Sequence, residues 1–355
     1  MPTPSSRAIG RWLLLWCAML VALVVIGGVT RLTESGLSIT QWKPITGVVP
    51  PLTHADWVAE FGRYQQIPEY QELKRGMTLP EFQRIYFWEF LHRLWARLLG
   101  LAFAVPFAWF VLRGQVRRAL AWRLGALLVL LGLQGALGWY MVSSGLVDRT
   151  DVSQYRLAAH LALALVLYAY ALWTALGLLA TEGGTRTPRL RRWASVYVGL
   201  VFLTIVAGAF VAGLNAGGAW NTWPLMEGSF VPAGYGQFVP FWRNVFENPA
   251  AVQFHHRWLG FSAMLGAWGL AAAGWYARGA SATLRRRALA LAAMGLVQAG
   301  LGIATLLLAV PIPLAAVHQL GAVLLLTVAL RFRHACRPAG LTGAGEAHSF
   351  PEVTP

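Results

Sequence analysis

Acidic residues are scarce. The 355-residue chain holds 14 Asp and Glu against 29 Lys and Arg, and charged side chains make up only 12% of it. A soluble domain carries about 25%, so a water-soluble globule is excluded. Cysteine is nearly absent. Cys17 falls inside the first apolar run and Cys336 beyond the last, too few and too badly placed for a disulfide framework. The net charge of +15 is not gathered on one soluble face. Its arginines sit in short connectors between apolar runs, which excludes nucleic acid as a partner and matches the topology signal of membrane proteins.

What fills the chain instead is apolar: 57% of residues, with mean hydropathy +0.53. Eight runs reach the bilayer-spanning length of roughly 20 residues. They cover about Trp12–Val29, Ile85–Leu112, Leu124–Val142, Tyr155–Leu179, Trp193–Ala212, Ala251–Tyr276, Ala288–Ala309 and Leu314–Leu330. The expected fold is an all-α polytopic membrane protein of eight transmembrane helices, in contact with membrane lipid. The first run is too long for the core of a cleaved signal and lacks a clear small-residue cleavage site, so it reads as retained.

A long polar segment from Arg31 to about Arg84 carries Pro44, Pro50, Pro51 and Pro68 together with Asp56, Glu60, Glu69, Glu72 and Glu81. It is long enough to fold over the membrane face rather than merely connect. A second loop, Gly213–Pro249, is rich in Gly, Trp and Pro and reads either as a lid over a pocket or as an interfacial aromatic belt. The amino end, every second connector and the carboxyl tail are basic and almost free of acid, whereas the acids gather in the intervening loops. Both termini therefore belong in the cytoplasm, with the long loops outside. Residues 341–355 read as a disordered tail.

The chain repeats itself. Gly27-Gly28-Val29 aligns with Gly208-Ala209-Phe210, and His92-Arg93 with His256-Arg257. Leu133-Gln134-Gly135-Ala136-Leu137-Gly138 aligns with Val297-Gln298-Ala299-Gly300-Leu301-Gly302, and Ala158-Ala159-His160 with Ala316-Val317-His318. Four spans per copy make both copies cross in the same direction, so two four-helix bundles, 1–185 and 186–340, should be related by a pseudo-twofold axis along the membrane normal.

The repeat places four histidines near the outer starts of the even-numbered spans. One histidine in an apolar helix is an ordinary packing or interhelix hydrogen-bonding residue. Four at equivalent positions point to function, because intramembrane ionisable groups are costly. Opposed imidazoles across a four-helix bundle, His92 with His160 and His256 with His318, can ligate one haem iron axially in each half. Zinc fits less well, since no Cys or acid completes a tetrahedral set. Arg93, Arg257 and Arg156 stand beside these histidines and Arg97 one turn deeper. They either snorkel to headgroups or pair with haem propionates through bidentate hydrogen bonds.

Glu89 breaks the symmetry. It shares a helix face with His92, and its counterpart in the second copy is Gln253, which cannot ionise. A carboxylate beside one ligand pair alone suggests that the first half does chemistry, with Glu89 in an acid/base or charge-stabilising role, while the second holds a permanent cofactor. A plain Glu89–Arg93 ion pair is the structural alternative. His255, His54 in the first loop, and His334 and His348 in the basic tail read as bystanders.

The run Gly27-Gly28-Val29-Thr30-Arg31-Leu32-Thr33-Glu34-Ser35-Gly36-Leu37-Ser38, followed by Trp42-Lys43-Pro44, resembles the haem A synthase family, in the branch shared by alphaproteobacteria and mitochondria. So do Glu89-Phe90-Leu91-His92-Arg93 and Asn221-Thr222-Trp223-Pro224-Leu225-Met226. The resemblance implies oxidation of the haem O C8 methyl group to a formyl group, giving haem A for terminal oxidases, with oxygen drawn from water. It implies His92 and His160 on the substrate haem with Glu89 essential beside it, and His256 and His318 on a resident haem b. Haem O synthase and a second copy of the chain are the expected protein partners. Another branch of the family carries a cysteine pair in the first loop, which this chain lacks. The competing reading from a different class is a bis-histidine dihaem electron-transfer cytochrome. The repeat alone also suggests a transporter, but the broken-helix signals of a substrate site are missing.

Overall fold

A computed structural model describes residues 3–43, 45–146, 149–180, 185 and 187–337. The expected tail, 341–355, and the first residue of the expected second half, 186, lie outside the described residues. Among the described residues the chain forms ten α-helices and no strand. In order they are α1 (Pro4–Leu32), α2 (His54–Tyr64), α3 (Leu79–Leu112), α4 (Arg118–Ser143), α5 (Gln154–Leu178), α6 (Pro188–Gly213), α7 (Arg243–Glu247), α8 (Pro249–Trp275), α9 (Ala282–Leu307) and α10 (Ile312–Ala335).

Seven of these, α1, α3, α4, α5, α6, α9 and α10, are long and apolar enough to cross a membrane. The eighth expected span, α8, has 27 residues, but His255, His256, Arg257 and several Gly and Trp dilute its apolar content. Large apolar side chains, among them Leu15, Val105, Val129, Leu203, Leu265 and Leu296, point outward along the helices. A protein in water does not expose apolar surface on this scale; hydrocarbon is the solvent that suits it.

The helices overrun the apolar runs because caps, not hydropathy, set their ends. Thr78 and Glu81 form a capping box before α3, with Thr78 N–H donating to Glu81 Oε2 at 2.8 Å, a device worth about 1 kcal/mol. It starts α3 six residues before the apolar run begins. Asn248 caps α8 by accepting from the Ala250 and Ala251 amides, with Pro249 in the first turn. At the other end of the chain α10 continues to Ala335, so His334, expected in a tail, is a helical residue. His54, expected in a loop, opens α2.

At 1.5 Å per residue α3 is about 51 Å long, well beyond a hydrocarbon core of about 30 Å. Its first turns project into the long first loop. There Phe82, Ile85 and Tyr86 of α3 form a small core with Leu37, Tyr64 and Ile67 of the loop. The loop is thus a folded cap on the first half, seated on α3 at the level of Glu89.

Packing closes two rings. α1, α3, α4 and α5 contact one another in cyclic order, and so do α6, α8, α9 and α10. The rings meet through α1, α5, α6 and α10. Indoles stitch α1 to α3: Trp12, Trp16 and Trp95 donate to the Ala102, Leu99 and Met19 carbonyls. At the seam Gln319 of α10 donates to the Val24 carbonyl of α1 at 3.0 Å. Its amide passes so close to Gly28 that a Cβ there would stand 1.7 Å from Gln319 Oε1, so any side chain at that position would have to displace this amide from the seam.

Candidate functional site

Each of the four repeated imidazoles is laid against a glycine of the neighbouring helix in its own ring. A Cβ on Gly27 of α1 would stand 3.0 Å from His92 Nε2, and one on Gly138 of α4 would stand 3.1 Å from His160 Cε1. In the second ring a Cβ on Gly208 of α6 or Gly302 of α9 would stand 2.9 Å from Cε1 of His256 or His318. The small residues that let these helices approach therefore also make the space in which each ring turns. The sequence aligned these glycines between the copies without indicating what faced them.

In the second ring the two imidazoles confront each other. The centroids of His256 and His318 are 6.4 Å apart with planes at 82°. Metal–imidazole bonds of about 2.0–2.1 Å, plus about 1 Å from nitrogen to ring centre, put two axial imidazoles about 6 Å apart across one metal. The observed spacing fits a shared iron. His256 Nδ1 lies 3.1 Å from the Thr204 carbonyl. Donation from Nδ1 to that carbonyl fixes the tautomer and leaves Nε2 with its lone pair free for a metal. In the first ring His92 and His160 are near enough to interact electrostatically.

Two glutamines, one per ring, orient the second histidine of each pair. Gln298 Nε2 donates to the His318 carbonyl at 3.0 Å and lies 3.1 Å from its Nδ1. Gln134 Nε2 donates to the His160 carbonyl at 3.0 Å and stands 3.2 and 3.3 Å from the two ring nitrogens. Nearly equal distances to both nitrogens put that amide over the face of the imidazole, not at either lone pair. The contact restrains the ring without consuming a metal-binding nitrogen.

Glu89 and Gln253 occupy equivalent places and are equally buried, each 2% exposed. Glu89 Oε2 accepts from Ser38 Oγ and the Ile39 amide, both at 2.7 Å, and Oε1 pairs with Arg93 Nη2 at 2.5 Å. Gln253 does the reverse on its outer side. Its Nε2 donates to the Ala216 carbonyl at 2.8 Å and the Ala219 carbonyl at 2.6 Å, while its Oε1 accepts from Arg257 Nη2 at 2.9 Å. The loop over the first ring thus offers donors, and the loop over the second offers acceptors. Only the first can take a carboxylate. Serine and a bare amide at Ser38-Ile39 are the local cause; Ser38 ends the run whose resemblance was legible but whose role was not, and Ile39 follows it.

Arg93 also donates to the Ile39 and Gln41 carbonyls at 2.8 and 3.1 Å, and Arg97 to the Lys43 carbonyl at 2.8 Å. Arg257 donates to the Thr222 carbonyl at 2.7 Å and to that of Trp220. Each ring's outer loop is strapped down by the arginine that follows its first histidine. Arg156 donates to the Tyr140 carbonyl at 2.6 Å and lies 3.7 Å over the Tyr140 ring, at the α4–α5 mouth of the first ring. His255 is held by Tyr235, whose hydroxyl is 2.7 Å from its Nε2; it braces the second long loop.

The sequence profile of the COX15-CtaA family, described as cytochrome oxidase assembly protein, matches residues 10–330. The chain is 54% identical over 336 residues to the heme A synthase of Rhodospirillum centenum, covering 94% of this chain and 90% of that protein. It is 49% identical over 333 residues to the heme A synthase of Parvibaculum lavamentivorans, covering 93% and 94%. To that of Brucella ovis it is 45% identical over 335 residues, covering 94% and 93%.

Proposed function

This chain belongs to the COX15-CtaA family, and from that premise we propose that it works as a haem A synthase whose two rings divide the task. The first ring, residues 1–185, takes haem O as substrate, its iron held between His92 and His160. The second, residues 186–340, keeps a haem b between His256 and His318, which supplies a one-electron relay when bound. The observation that carries the division is the placing of Glu89 against Gln253: one carboxylate, seated by loop donors, beside one histidine pair only.

Turning the C8 methyl into a formyl group with oxygen from water removes four electrons and four protons. The electrons would leave one at a time through the haem b, when bound, to an external oxidant, and Glu89 is the proton acceptor at hand. Its charge favours positive character at the reacting carbon, and its carboxylate can take the proton of an attacking water. Ser38, Ile39 and Arg93 fix its position so that little reorganisation is needed. The folded first loop excludes bulk water from that side. Arg93, Arg97, Arg156 and Arg257 lie at the mouths of the rings, where a guanidinium can exchange a loop carbonyl for a haem propionate, a stronger charge-assisted partner.

In this reading the rings span a bacterial inner membrane eight times, with both termini in the cytoplasm and the long loops outside. Haem O synthase delivers the substrate, and the chain self-associates. A pure dihaem relay would not need an acid at one pair, which favours the enzyme. The test is expression with a source of haem O, followed by pigment extraction and chromatography. Haem A in the extract is the expected result; haem O recovered unchanged would overturn the assignment.

A further inference from the structure

At the arginine-rich end of the bundle a cavity of about 370 Å³ opens between three helices of both rings. Tyr170 and Trp173 of α5, Ser195 and Val198 of α6, and Leu330 and Arg333 of α10 line it. Its wall is apolar along Val198 and Leu330 and cationic at Arg333. We propose that this slot is a binding site for an anionic phospholipid, with the headgroup phosphate on Arg333 and Arg337 and one acyl chain against the apolar wall.

The cations there are arranged, not scattered. Arg333 Nε donates to Ser195 Oγ at 2.7 Å, and that hydroxyl in turn donates to the Arg191 carbonyl at 2.9 Å. The same guanidinium lies 4.4 Å over the Trp173 ring, and Arg337 lies 4.0 Å from it. Two like charges are therefore held within about 8 Å of each other by one indole. His334 packs edge-on against the same ring, at 5.4 Å between centroids. Arg287 is tethered next to them by the Arg331 carbonyl at 2.7 Å. Among the described residues no carboxylate answers these charges, since all seven ion pairs lie elsewhere.

Both Nη atoms of Arg333 are without a protein acceptor among the described residues, and a planar fork with its stem fixed suits a phosphate. The slot lies at the basic end of the spans, in the seam between the rings, and basic pockets between helices at such ends take anionic headgroups. At the opposite end of the same seam Arg31 of α1 bridges to the other ring, donating to the Ala212 carbonyl and to Asn215 Oδ1, both at 2.9 Å. A lipid wedged among α5, α6 and α10 would do the corresponding work here and tie the two rings together.

The full-length protein is placed in nanodiscs of phosphatidylcholine alone, or with about one-third phosphatidylglycerol. Thermal unfolding and retained lipid, the latter by native mass spectrometry, are the readouts. The expected result is at least one retained phosphatidylglycerol and a Tm several degrees higher in its presence. The double variant Arg333→Gln/Arg337→Gln loses both, and Arg117→Gln/Arg118→Gln, at a distant basic connector, loses neither. Arg333→Lys keeps the charge and the fold but not the fork, and retains less lipid. Equal gains in wild type and Arg333→Lys, equal gains in phosphatidylcholine alone, or full replacement of the gain by inorganic phosphate would each overturn the site. None of these readouts depends on haem.

Discussion

His256 and His318, on α8 and α10, stand with ring centroids 6.4 Å apart and planes nearly perpendicular. That is the spacing of two axial ligands with a metal between them. If the second ring holds a haem b as proposed, replacing either by alanine should abolish the b-type optical spectrum and the bound haem b of the purified protein. An unaltered spectrum would remove the pair from the ligand set.

The glycines at the imidazoles should be intolerant in proportion to side-chain size. Gly302→Ala puts a methyl 2.9 Å from His318 Cε1, which a small ring rotation can absorb. Gly302→Val cannot be absorbed that way, and overpacking of this kind costs about 1–3 kcal/mol. A graded loss of haem b with a shifted absorbance maximum is expected across the Gly302→Ala and Gly302→Val variants. Wild-type spectra for both would mean that the contact does not hold the ring.

The two outer loops predict an asymmetry in a swap. Gln253→Glu sets a carboxylate against the Ala216 and Ala219 carbonyls, acceptor facing acceptor in a buried place. Leaving such groups unpaired costs about 1–3 kcal/mol or more for a charge. Glu89→Gln turns an amide NH2 toward both donors of the first loop and leaves the Ile39 N–H unpaired, but the Ser38 hydroxyl can rotate to accept, and an amide oxygen remains for Arg93, as in Gln253 with Arg257. Thermal unfolding should therefore fall further for Gln253→Glu than for Glu89→Gln, and equal losses would refute the donor–acceptor argument.

The first loop should respond to pH through Glu69. This carboxyl is 5% exposed and 3.3 Å from Lys74 Nζ. Burial pushes it above its ordinary value of 4.5, against the pull of Lys74. With the folded value above the unfolded one, the native loop binds more protons in the window between them. Its stability falls as pH rises through that window, and the whole penalty persists above it. Proteolysis within residues 31–84 should be faster at about pH 8 than at about pH 5 relative to an unfolded control, and Glu69→Gln should flatten the difference. A slope unchanged in that variant would assign it to another group.

The apolar runs and the duplication were legible in the sequence because span length and repeated residues are local properties. So were the four histidines, and the acid at Glu89 against the amide at Gln253. Helix ends were not, since caps such as Thr78–Glu81 extend helices into polar sequence. Nor was the use of Gln134, Gln298 and the four glycines, because a small residue announces close approach without saying what approaches. The donor character of Ser38-Ile39 depends on how a loop folds back over α3 across some fifty residues, a contact that no periodicity encodes.

The pigments bound by Glu89→Gln, expressed with a haem O source, test the role of the Glu89 carboxylate most directly. Retention of the b-type spectrum, accumulation of bound haem O and no haem A is the predicted outcome. Haem A at the wild-type level from that variant would contradict it.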